Sequence, residues 1–248
     1  MAHDPVFDST ENQALLVVCA RKTIRTAALV GIVWGVINLV IAVDAIRDNI
    51  LNVSLLGLAL LMLGTGVAAL MRPSLHALLA EAIVSVLLFS WNVGVTALNA
   101  SIGHTGNVNP HSLILPALAA VVFFKQYSKL GHLKKAIETM DSKTVQEASG
   151  ICKQLFKTKL KESADIAEAS SKRCRLRFMS DSVFCVQRNL TAAFHLSRAD
   201  FQQCIADLSR PKLRMVVRHP LGKVTYGFNK KNSAKIKSWL CASALNSL

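Results

Sequence analysis

Residues 26–127 carry four apolar stretches parted by three short loops, and that single feature restricts the chain more than any other. A run of about 20 residues nearly free of charge is long enough to cross a bilayer core, and a small water-soluble domain has little use for one. The stretches cover residues 26–43, 53–71, 75–98 and 113–127. Arg72-Pro73-Ser74 ends the second, because proline cannot continue the helical hydrogen-bond ladder unaided. The fourth is short, opens near Pro116 and closes on Phe123, Phe124 and Tyr127. That ending fits an aromatic belt, although a re-entrant or tilted segment fits as well.

Charge is distributed as a membrane topology would sort it. The net charge of +14 belongs to the second half: residues 1–124 hold five Lys/Arg against six Asp/Glu, whereas residues 125–248 hold 24 against nine. Directly behind a membrane region, such an excess is explained by topology and by attraction to anionic lipid headgroups, with no nucleic-acid partner implied. Arg21, Lys22 and Arg25 precede the first stretch, Arg72 sits in the second loop, and Lys125, Lys129, Lys134 and Lys135 follow the fourth. The first loop has only Arg47, beside Asp44 and Asp48, and the third loop has no basic residue. Four crossings put every basic cluster on one side, so both termini are expected in the cytoplasm, on an inner or plasma membrane. No secretory signal is expected, since Asp4, Asp8 and Glu11 interrupt the N-terminal segment and residues 15–19 are too few for its apolar region. Cysteines 19, 152, 174, 185, 204 and 241 form no Cys-x-x-Cys pair, which predicts free cytoplasmic thiols and no metal centre.

Outside the spans the periodicity changes twice. Residues 1–9 are polar and expected to fray, and Thr10-x-x-Gln13 fits a capping box ahead of a helix to about Arg25. That helix is either a separate interfacial piece or an extension of the first span. Helical spacing runs over residues 128–169, with a break at Asp141 or Ser142. From Arg173 the period becomes two: Cys174, Leu176 and Phe178 alternate with Arg173, Arg175 and Arg177. Further strands are predicted over residues 183–187, 190–196, 213–217 and 224–228, with a turn at Pro220-Leu221-Gly222 and a short helix or an irregular segment opened by Ser197-x-x-Asp200 and running to Leu208. Asn232 or Ser233 should cap a final helix. The expected fold is thus an all-α membrane domain of four transmembrane helices plus a small α+β cytoplasmic domain with an antiparallel sheet and a C-terminal helix. The boundaries read as residues 1–25 for an N-terminal segment, 26–127 for the membrane domain, 128–169 for a helical linker and 170–248 for the α+β domain.

Few residues in this pattern carry chemistry. Glu81 is the only acidic residue well inside a span, and an intramembrane carboxyl is by default a functional candidate. It also lies about two turns from Arg72 and His76, either of which could pair with it. Asn38 and Asn92 could bridge helices. Gly31-x-x-x-Gly35, with Gly57, Gly64 and Gly66 on the next span, marks places where helices could approach closely. Arg173, Arg175 and Arg177 form a basic stripe on one strand face, which Arg214 and Arg218 would extend; a purely solvated face is the commoner explanation of such a pattern. His104 and His111 lack a third ligand and make a poor metal set. Asn-x-Ser/Thr triplets at Asn52, Asn99 and Asn189 are matches that chance supplies. No G-x-S-x-G, P-loop, dinucleotide-binding glycine pattern or H-E-x-x-H is present, so no enzyme activity and no cofactor are expected.

The strand pair 173–179 (RCRLRFM) and 183–187 (VFCVQ), the hairpin about 220–222 (PLG) and the closing helix from Asn232 to Leu248 together resemble the small pleckstrin-homology-like domains of bacterial membrane proteins. The resemblance covers about residues 165–248. It implies a scaffold that binds lipids or protein segments, without assigning a site. The chain has fewer strands than is usual there, which leaves a different α+β fold open. Two functions follow from the sequence. In the first, a multi-pass membrane protein uses its basic domain to bind a protein partner or the anionic surface of the bilayer. In the second, a small transporter or channel component lines a path with Glu81, Asn38 and Asn92, as a homo-oligomer because four spans enclose little.

Overall fold

Helical and alternating apolar patterns set the element order of a computed structural model that describes residues 7–46, 52–101, 110–157, 165–168, 174–187 and 190–241. The helices are α1 (Thr10–Ile46), α2 (Asn52–Met71), α3 (Leu75–Ser101), α4 (Pro110–Leu130), α5 (Lys134–Thr139), α6 (Ser142–Lys157), α7 (Arg198–Gln203) and α8 (Lys230–Cys241). The strands are β1 (Asp165–Glu168), β2 (Cys174–Phe178), β3 (Ser182–Gln187), β4 (Ala193–Ser197), β5 (Arg214–His219) and β6 (Gly222–Gly227). The chain divides into two units, one of residues 21–138 and one that joins residues 1–20 to residues 139–248. Continuous over 37 residues, α1 contributes to both.

In the helical unit, small and polar residues share the inward seams with a few large apolar ones, while many large apolar residues face outward. Buried on α1 are Ile24, Ala28, Gly31, Gly35, Asn38 and Ala42, at alternating steps of four and three residues; Leu55, Ala59, Met62, Gly66 and Ala69 repeat the pattern on α2. Leu75, Leu78, Ala82 and Ser85 continue it on α3. Such seams let helix backbones come close. Val33, Val40, Leu60, Leu61, Ile83, Leu87, Leu118 and Val121 are exposed instead. A water-soluble bundle would reverse this arrangement, since exposed apolar area on that scale is not tolerated in water. Among the described residues, three helices are long and apolar enough to cross a membrane, namely α1 to Val43, Val53–Met71 and Leu75–Leu98. The fourth helix starts earlier than the sequence suggested, which places Pro116 inside it.

The second unit is built around an antiparallel meander, β1-β2-β3-β4, and a separate hairpin, β5-β6. Leu176, Cys185 and Phe194 are opposite one another across β2, β3 and β4, and with Phe178, Val183 and Leu196 they form one buried face. Phe7 and His219 meet that face at Phe194, with ring centroids 6.3 and 6.0 Å away. Phe201 of α7 and Trp239 of α8 meet it at Phe178, at 5.8 and 4.9 Å. On the other face the side-chain amide of Asn12 in α1 pairs with the backbone of His195, donating to its carbonyl at 2.8 Å and accepting from its N–H at 2.7 Å. Glu11 joins the His195 ring at 2.6 Å. From Ala14 to Ala20 every α1 residue is buried. The sheet therefore has cover on both sides, and Val183 to Val186 are all buried.

Several local expectations are corrected here. Phe7 is 1% exposed, so the end of the polar N-terminal segment is packed and not frayed. Ser9, not Thr10, caps α1 by accepting from the N–H of Asn12. Asn229, not Asn232 or Ser233, caps α8 by accepting from the N–H of Asn232. Ser233 is instead buried and takes the N–H of Leu213 at 2.9 Å, tying α8 to the start of β5. Residues 165–168, read as the end of a helix, are strand β1, paired to β2. Asp141 does break α5 from α6, accepting from the N–H groups of Lys143 and Thr144. Ser197 caps α7 through Asp200, as expected. Pro220-Leu221 turns β5 into β6, and Gly222 takes φ 131°, a conformation that L side chains rarely adopt.

Candidate functional site

Within the helical unit the one ionisable side chain that stands out is Glu81. It lies a turn and a half into α3, and its residue is 0% exposed. Two glycines make room for it. A Cβ at Gly31 of α1 would come within 2.5 Å of Glu81 Oε2, and one at Gly66 of α2 within 2.8 Å of Oε1. The carboxyl group is thus held where α1, α2 and α3 meet. Neither carboxyl oxygen has a hydrogen-bond partner. The cations within sequence reach do not serve it: His76 pairs with Glu138 at 3.4 Å, and Arg72 is exposed. Ser85, one turn on, donates to the backbone carbonyl of Glu81 and not to its side chain.

Asn38 and Asn92 do not assemble around this carboxyl group. Asn38 is buried, but it lies two turns beyond Gly31, about 10 Å along the helix axis, and donates to the carbonyl of Trp34. Asn92 is half-buried, three turns beyond Glu81 on α3. Of the glycines, Gly31, Gly35 and Gly66 are at close contacts, with Gly35 against Leu63. Gly57 and Gly64 have no neighbour within 4 Å.

The basic stripe proves to be two different environments. Arg173 lies outside the described residues. Arg175 and Arg177 are half-buried on the sheet face that carries Phe184 and His195, where α1 and α6 also bond. Arg175 Nη1 donates to the carbonyl of Leu155 at 2.7 Å. A guanidinium near the C-terminal end of α6 satisfies an orphan carbonyl and suits the helix dipole. Arg214 and Arg218, in contrast, are exposed on the outer face of the β5-β6 hairpin. Lys223 stands directly across from Arg218, also exposed, with half-buried Val216 and Thr225 between. Lys223 was not singled out from the sequence, although its register two residues past the turn could have been counted. Three like charges on one hairpin face repel one another and favour an anionic ligand.

Three of the described cysteines are placed as structural thiols. Cys19, Cys152 and Cys185 are buried, and burial pushes the Cys152 thiol up to about 11, leaving it protonated and inert at neutral pH. No group of three or more His, Cys, Asp or Glu side chains fit to hold a metal ion occurs among the described residues. The loop with His104, and Asn189, lie outside them, as does the His111 side chain. No family model, no curated protein and no solved structure matches the chain.

Proposed function

We propose that this is a four-pass integral membrane protein with both termini in the cytoplasm, whose cytoplasmic domain docks on anionic lipid through its β5-β6 hairpin. The observation that carries the docking is the exposed trio Arg214, Arg218 and Lys223 on one hairpin face. Each basic residue near an anionic surface contributes about 1 kcal/mol, fading over a Debye length of about 8 Å at physiological salt. Arg175 and Arg177 stand behind this trio as secondary contributors, because their guanidinium groups are half-buried. A meander followed by a hairpin and a closing helix keeps the pleckstrin-homology-like scaffold as part of this reading.

Four crossings are supported by the shared core of the second unit. Residues 7–20 share a core with the described residues between 165 and 241, which favours an even number of crossings between them. Three long apolar helices alone would be odd. Apolar outward positions on α4, Ile114, Leu118, Val121 and Val122, favour it as the fourth crossing. The transport reading loses its main support, since the polar groups of the spans are not gathered along one path.

Hydrogen exchange on the full-length protein in nanodiscs tests the docking. With acidic lipid, residues 214–227 should gain protection relative to neutral lipid and lose it at high salt. Replacing Arg214, Arg218 and Lys223 with serine should remove that gain, and replacing Lys230, Lys231 and Lys235 should not. Equal exchange in acidic and neutral nanodiscs would exclude the docking.

A further inference from the structure

We propose that the meeting point of α1, α2 and α3 is a proton-binding site, in which Glu81 is held as the neutral acid. This goes beyond lipid docking and does not depend on it. The grounds are the company the carboxyl group keeps. Gly31 of α1 and Gly66 of α2 lie against it, Ala28 and Ile32 of α1 line the same notch at Gly66, and its neighbours on the buried face of α3 are Leu78, Ala82 and Ser85. None of these ionises. The nearby charged and titratable side chains, Arg25, Arg72, His76 and Lys125, are all exposed. An ionised carboxylate enclosed by such groups, with no cation and no hydrogen bond, costs far more than the protonated form.

Hydrogen-bond polarity points the same way. The hydroxyl of Thr65, on α2, makes no hydrogen bond to the carboxyl group. It has one hydrogen and directs it to the carbonyls of Leu61 and Met62, at 3.0 and 3.1 Å. The notch at Gly66 brings an acceptor into the same place: a point at the missing Cβ is 2.8 Å from Glu81 Oε1 and 3.3 Å from the Ala28 carbonyl oxygen. Ile32 Cγ1 is also 2.8 Å from that point, which leaves room for a proton but not for a hydrated metal ion and its several oxygen ligands. Release of the proton then requires α1 to part from α2 and α3, because the glycine contacts close the site.

Infrared spectroscopy of the full-length protein in neutral-lipid nanodiscs reads the protonation state directly. At neutral pH the wild type should show a carboxylic-acid carbonyl band that shifts in D2O, moves with 13C-glutamate and is missing from Glu81→Gln. Assignment by 13C-glutamate serves if that variant does not fold. Gly66→Ala, which pushes a methyl group against Oε1, should displace the band or abolish it. The proposal is overturned if the wild type has no acid band at neutral pH, or if Glu81→Gln folds and keeps it. It is equally overturned if the band appears only when sodium is replaced by choline, which would make the ligand an alkali cation.

Discussion

At the scale of single residues, alternation on β2 separates two neighbours with different fates. Leu176 is fully buried against Cys185, so Leu176→Asp places an unpaired carboxylate in the core at a cost of several kcal/mol. We expect that variant to lose protease resistance in the second unit. Arg175→Ser leaves the Leu155 carbonyl without its guanidinium partner at a half-buried position, which should cost about 1 kcal/mol without unfolding the domain. Limited proteolysis and thermal unfolding in detergent distinguish the two, and equal resistance would mean the strand faces are misassigned. The alternation itself was legible in the sequence, and it put Leu176 and Phe178 correctly on the core face. What it could not reveal was which elements cover the opposite face. Arg175 looked like surface because the carbonyl it serves lies 20 residues earlier, at the end of a helix whose docking no local pattern encodes.

At the scale of elements, the helix seams decide which small residues matter. Gly35 and Gly64 both lie in apolar helices and were equal candidates by spacing, yet their surroundings differ. A Cβ at Gly35 would be 2.8 Å from Leu63 Cγ and 3.1 Å from its backbone nitrogen, whereas one at Gly64 would meet nothing within 4 Å. Gly35→Ala should therefore destabilise the bundle by about 1–3 kcal/mol through overpacking. Gly64→Ala should be neutral or stabilise by up to about 1 kcal/mol, because alanine is the better helix former. Unfolding of the purified protein by sodium dodecyl sulfate in mixed micelles measures both, and a Gly35→Ala variant as stable as Gly64→Ala would mean α1 and α2 do not pack as described. The same contrast explains β1. Asp165-Ile-Ala-Glu168 contains good helix formers, and only pairing with β2 makes it a strand, so tertiary context overrides local preference there. Hydrophobic length made α2 and α3 plain in the sequence. It hid the first half of α1, whose apolar residues 14–20 extend an apolar helix but belong to the core of a different unit.

At the scale of the whole molecule, the start of α1 and the described residues of the second half from Thr139 on form one folded unit, and this has consequences for both assembly and topology. Phe7, Glu11 and Asn12 reach Phe194, His219 and His195, about 180 to 210 residues later, so the C-terminal domain cannot complete its core before the intervening helices are in place. Without residues 1–20, a fragment that begins at Ser142 lacks the helix that covers one sheet face, and we expect it to aggregate or to expose apolar surface to a reporter dye. Adding a peptide of residues 1–20 in trans should restore a cooperative unfolding transition. On the proposed four-pass topology, Ala20 and Thr139 lie in the same compartment, as a shared core requires. Asn107, in the loop between α3 and α4, and Ser247, near the C-terminus, lie outside the described residues and bracket the α4 segment. With four crossings, the basic flanks place Ser247 in the cytoplasm and Asn107 outside. In intact cells a membrane-impermeant thiol reagent should label Asn107→Cys and leave Ser247→Cys unlabelled until the cells are opened. Labelling of both would mean an odd number of crossings, and then residues 7–20 could not share a core with β4. Labelling of Ser247→Cys alone would keep the parity and reverse the orientation, which would remove the hairpin trio from the anionic cytoplasmic leaflet it is proposed to bind.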